Sequence, residues 1–201
     1  MMLFYLVIGI GFLFSMLVQG WLRTTYARWS RVRNSLDAPG AEVSRFLLDK
    51  NGMPLVRIDM ASGTLSDHYD PRRKTIALSQ KIFMEPSIAS AAVAAHETGH
   101  AIQDKVGYGP MRLRHLLMPL AQLGAQLGPW AAIGGWFIGS NTLLQIGFLM
   151  FAAALAFQLL SLPIEFDASR RAKAELIERG RNSPEAVEGA HTVLRAAAMT
   201  Y

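Results

Sequence analysis

The sequence has no cysteine among its 201 residues, which excludes disulfides and thiolate metal sites and restricts any metal to nitrogen and oxygen ligands. Charge is also scarce. Charged residues make up 17% of the chain against 51% hydrophobic, and residues 1–20 and 116–163 hold no Lys, Arg, Asp or Glu at all. One helix needs about 20 apolar residues to cross a bilayer core, so the first stretch fits one crossing and the second fits two. There is no internal repeat and no low-complexity tract.

The first stretch lacks the marks of a cleaved leader. No basic residue precedes its apolar run, the run is too long for a signal core, and no small-x-small pattern stands before Trp21. The expectation is a retained anchor. The net charge of +5 raises nucleic acid as a partner, but the 20 Lys and Arg all lie in residues 21–115 or after Pro163, and Arg23, Arg28, Arg31 and Arg33 follow the first apolar run closely. That distribution fits anionic lipid rather than DNA or RNA. Basic residues beside spans mark the cytoplasmic side, so both polar segments are expected inside, with the N-terminus and a hairpin tip at Ser140-Asn141 outside.

Trp21, Leu22, Tyr26 and Trp29 stand among basic residues at near-helical spacing, as in a helix leaving a bilayer through its interface. Val43, Phe46 and Leu47 predict a short amphipathic helix over residues 41–50, stopped by Asn51-Gly52. LVRIDM and TIALSQ read as two strands around the turn-rich SGTLSDHYDPRRK. Pro86 opens a helix that runs to Lys105, and Gly107 with Gly109-Pro110 closes it. Gly134-Gly135, Gly139 and Ser140-Asn141 mark a turn between two spans. Pro163 is expected in the first turn of a further helix ending at Gly180, with another helix from Pro184.

Chemistry concentrates in the predicted helix after Pro86. His96-Glu97-Thr98-Gly99-His100 is an H-E-x-x-H pattern, and with 3.6 residues per turn its two imidazoles project from one face beside Glu97. Imidazole nitrogens suit zinc, and a catalytic zinc keeps a position open for water. Shuffled chains of this composition would show the pattern roughly half a per cent of the time, so its helical placement adds weight. A third ligand is needed. His68, His115, His191 and several carboxylates are candidates, and Glu165 is preferred because it stands where the last span returns to the face from which the motif helix departs. Asp167, two residues on, is expected to turn away and pair with Arg170 or Arg171. His68 and Tyr69 could line a cleft or pack a turn, and Tyr108 and Arg170 are candidate oxyanion donors. The strand at residues 75–78 is expected to offer an edge to an extended substrate.

The same residues carry a resemblance. GAEVSRFLLDKNG, LSDHYDPRRKTIALS, VAAHETGHAIQ, LPIEFDASRRA and VLRAAAMTY, with the charge-free double span, resemble the neutral zinc metallopeptidases that include the YugP-like membrane proteins. The resemblance spans nearly the whole chain. It implies a gluzincin-like centre with His96, His100 and Glu165 as zinc ligands and Glu97 as the catalytic residue. That family continues into a further apolar segment past the position of Tyr201, where this sequence stops.

The expectation is therefore a mainly α integral membrane protein of a bacterial plasma membrane, with about three transmembrane helices and a small α+β zincin-like catalytic domain facing the cytoplasm. Its parts would be an anchor at 1–20, a first catalytic segment at 21–115, a transmembrane hairpin at 116–163 and a second catalytic segment at 164–201. It would hydrolyse peptide bonds of a peptide or membrane-protein substrate with Zn2+. A membrane scaffold with a non-catalytic metal site, or a hydrolase of non-peptide bonds, is the competing reading.

Overall fold

The computed structural model describes residues 2–178 and 184–199. The helix stop expected at Gly180 lies outside them. The chain is mostly helical: α1 (Met2–Trp29), α2 (Gly40–Lys50), α3 (Gln80–Met84), α4 (Ile88–Lys105), α5 (Gly109–Phe137), α6 (Asn141–Glu178) and α7 (Pro184–Ala198). Three short strands, β1 (Arg57–Ala61), β2 (His68–Asp70) and β3 (Thr75–Ser79), complete it. Two compact units result, residues 1–103 with 166–200 and residues 104–165, and the division falls inside α6.

In the first unit the amphipathic α2 buries Val43, Leu47 and Leu48. The sheet runs β1-β3-β2, with β1 parallel and β2 antiparallel to β3. β3 is therefore the central strand, both its edges are taken, and the expected substrate edge at residues 75–78 does not exist. The reason is β2, a three-residue strand inside the turn-rich segment and too short to show alternation in sequence. Asp67, next to it, accepts from the Ser79 N–H at 2.7 Å and the Ser79 hydroxyl at 3.0 Å, joining the loop to the end of β3.

α4 is buried along nearly its whole length, which its Ala-rich first half permits. Ser44 of α2 donates to the Ala94 carbonyl at 3.1 Å, and Thr98 donates to the same carbonyl at 2.8 Å. Trp29 is a core residue and not part of an interfacial belt. It is buried, and a Cβ built on Gly189 of α7 would come within 2.6 Å of its ring, so the missing side chain at Gly189 is what admits the indole. Trp21 keeps the exposure expected of an interfacial aromatic.

In the second unit, α5 and the first part of α6 form a helical hairpin. Its turn is Ile138 to Ser140, with Gly139 at φ 70°, and Ser140 caps α6 through the amides of Leu143 and Leu144. Gly134 and Gly135 belong to α5 rather than to the turn. Gly128, Gly135 and Gly147 let the helices meet backbone to backbone: an added Cβ would lie 2.9, 2.4 and 2.3 Å from the facing chain. Small residues are what helix pairs in a bilayer use to approach so closely. Leu116, Trp130, Phe137 and Leu149 project outward, each more than 70% exposed.

Among the described residues one helix, Asn141–Ile177, is long and apolar enough to cross a membrane. α5, at 29 residues, is also long enough, but its glutamines, prolines and glycines dilute its apolarity. Pro163 does not start a new helix. It lies inside α6, which continues unbroken past it, since a proline removes one backbone bond while the turns on either side keep theirs.

Candidate metal centre

α4 and α6 meet at the motif. Gly99 is the contact point, because a Cβ there would stand only 2.6 Å from the Ala168 carbonyl oxygen. Glycine at this position lets the two backbones touch, so that one turn of α6 lies against the H-E-x-x-H turn of α4. Glu165, Asp167 and Ser169 all belong to that part of α6 and follow its placement.

His96, Glu97 and His100 are buried. The two imidazoles lie edge to face, with centroids 4.7 Å apart and planes at 81°. A ligand atom of each histidine and a carboxylate oxygen of Glu165 all lie within 4.8 Å of one another. Glu165 is only 1% exposed, and its Oε1 accepts from Arg114 at 2.8 Å. Donors around a tetrahedral zinc stand about 3.4 Å apart at the usual bond lengths, so two imidazoles and a carboxylate held this closely fit that ion. A guanidinium 2.8 Å from Glu165 is the natural partner of a carboxylate, the form in which a glutamate binds metal.

Each histidine has its second nitrogen engaged. His96 Nδ1 lies 3.2 Å from the Ser169 hydroxyl, and His100 Nδ1 lies 3.0 Å from Gln103 Oε1. Gln103, fully buried, donates its amide to Asp167 Oδ2 at 2.9 Å. Asp167 also accepts from Arg170 and, at 2.6 Å, from Arg171. Burial works against its ionisation, but the donors Arg171, Gln103 and Arg170 outweigh it and hold the carboxyl below the usual carboxylate range. The expected ion pairs are thus present and Asp167 is not among the groups that converge as ligands, but it also reaches α4 through Gln103, which was not expected from the sequence.

The remaining candidates lie elsewhere. His68 is exposed in β2, with Nδ1 2.8 Å from the Ser66 carbonyl, while its neighbour Tyr69 is buried. His191 is exposed on α7, His115 is half-buried in α5, and Tyr108 sits just before α5. Arg170 is committed to Asp167. Gln103 and Ser169 were missed by motif reading, although helical spacing could have found them. Gln103 follows His100 by three residues and Ser169 follows Glu165 by four, and both spacings share a helix face.

A family model described as "Putative neutral zinc metallopeptidase" matches residues 4–201, and the chain belongs to that family. It is 40% identical over 182 residues to the protein of Bacillus subtilis (strain 168) named "Putative membrane protease YugP", an alignment covering 90% of this chain and 80% of that one. No solved structure matches.

Proposed function

We propose that this protein is a membrane-bound zinc peptidase whose metal is held by His96, His100 and Glu165 and whose general base is Glu97. The observation that carries this reading is the burial of two imidazoles and a carboxylate within one ion's reach, on helices brought together at Gly99 inside the motif itself. Zinc, when bound, polarises a scissile carbonyl and makes water nucleophilic near neutral pH. The residues do the rest. Glu97 accepts the proton from the attacking water on its carboxylate and returns it to the leaving amine, and burial excludes competing solvent. Ser169 and Gln103 hold the rings of His96 and His100.

The substrate is a peptide or membrane protein, in keeping with the name of the Bacillus subtilis relative. The catalytic part combines residues 21–115 and 164–201, with 1–20 as the anchor and 116–163 as a membrane hairpin, three spans in all. Outward-facing Trp130, Phe137 and Leu149 support lipid contact for the hairpin. The basic flanks support a cytoplasmic catalytic part in a bacterial plasma membrane.

Metal analysis of the purified protein, paired with turnover of a fluorogenic peptide by Glu97→Gln, tests the reading. An amide fills the same space and cannot accept the proton, so zinc should stay at the wild-type stoichiometry while turnover falls by at least about 100-fold. Wild-type turnover in that variant would end the mechanism.

A further inference from the structure

We propose that Gln103 is a positioning residue that fixes which nitrogen of His100 is offered to the metal. The inference rests on the ligand role of His100 proposed above and adds a direction of hydrogen bonding that the motif does not contain.

A glutamine amide can face either way, and a neutral imidazole can carry its proton on either nitrogen, so a His–Gln contact alone fixes neither. Here the far end of the amide decides. Asp167 is held by Arg170 and Arg171, which makes its carboxylate an acceptor only. The Gln103 group facing Asp167 Oδ2 at 2.9 Å must then be the NH2. Its carbonyl oxygen is thereby left for His100, 3.0 Å from Nδ1. An oxygen there requires N–H on Nδ1, and the lone pair of the neutral ring is then on Nε2.

The chain of donors therefore runs one way: His100 Nδ1–H to Gln103, Gln103 to Asp167, with the two arginines holding Asp167. Histidine ligands usually give their second N–H to a carboxylate or carbonyl, which sets tautomer and orientation. This site does it with a neutral amide and keeps the carboxylate one residue removed. Burial of Gln103 leaves no solvent partner to turn the amide around. The contrast is His96. Its partner is the Ser169 hydroxyl, which can donate or accept, so that contact places the ring without choosing its tautomer. The Gln103 chain thus sets the tautomer of His100, whereas the Ser169 contact by itself sets none for His96.

The test uses the full-length protein in detergent, stripped of zinc, with histidine ring nitrogens labelled and the His100 signals identified by their loss in His100→Ala. Wild-type His100 should be in the Nδ1–H form before any metal is added. An Nε2–H form would overturn the proposal outright, with no variant needed. Gln103→Leu should release that preference and weaken zinc binding, measured by chelator competition, by about 10–100-fold. A Gln103→Leu protein that retains both the Nδ1–H form and wild-type zinc affinity would also overturn it. Failure of the ligand reading looks different: wild type and His100→Ala would then bind zinc equally, whatever the tautomer.

Discussion

Substituting Gly99 by alanine sets two effects against each other. Inside a helix alanine is favoured over glycine by about 1 kcal/mol, so on propensity alone Gly99→Ala should stabilise the protein. The new Cβ, however, would lie 2.6 Å from the Ala168 carbonyl oxygen, where ordinary contact begins at 3.4 Å. That oxygen is backbone and cannot swing aside, so α6 must recede from α4 by about 0.8 Å. Overpacking of this kind costs about 1–3 kcal/mol, which leaves a net loss of about 0–2 kcal/mol. The effect on the site should be larger than the effect on the fold. Asp167 and Ser169 flank Ala168, and Glu165 lies less than one turn before it. A displacement approaching 1 Å can cost about 100-fold where groups must converge on one point. Thermal unfolding and zinc affinity should be measured on the same preparation. The expected result is a modest fall in melting temperature with a loss of zinc affinity or peptide turnover of about tenfold or more. A variant that melts higher than wild type and keeps zinc and turnover would show that the close approach at Gly99 does not set the site.

Glu165→Ala should strip most of the zinc, while Asp167→Ala, which removes a support and not a ligand, should retain more of it; metal analysis after dialysis decides, and the reverse order would mean the wrong carboxylate has been assigned. A pH effect is expected at Asp67, whose carboxyl burial pushes up despite the opposing hydrogen bonds from Ser79. Its folded pKa exceeds its unfolded one, so its contribution is full below roughly pH 4 and is lost as pH rises through the folded value. The melting temperature of Asp67→Asn should therefore gain on wild type between about pH 4 and 7, and a constant gap would count against the burial argument. For topology, a cysteine at Ser140 should react with an impermeant reagent in intact cells, and one at Ser62 only after permeabilisation; labelling of both from outside would overturn the orientation.

Much of the helical plan was legible because it rests on local signals. Val43, Phe46 and Leu47 betray α2 by their spacing, Pro86 and Gly107 bracket α4, and the charge-free run with Ser140-Asn141 in its middle announces the hairpin. The H-E-x-x-H spacing placed His96 and His100 on one helix face for the same reason: 3.6 residues per turn is a property of the backbone. Tertiary structure decided what depends on contacts between distant segments. β2 exists only because residues 68–70 find β3 beside them, and it removes the strand edge that TIALS suggested. Trp29 reads as an interfacial aromatic until Gly189 of α7 opens a place for it in the core. Pro163, read as a helix start, is internal because the turns on both sides of it hold. Asp167 has enough basic neighbours in sequence to explain it, and those pairs form. Its bond to Gln103, 64 residues away, depends on α4 and α6 meeting at Gly99, which no local pattern records.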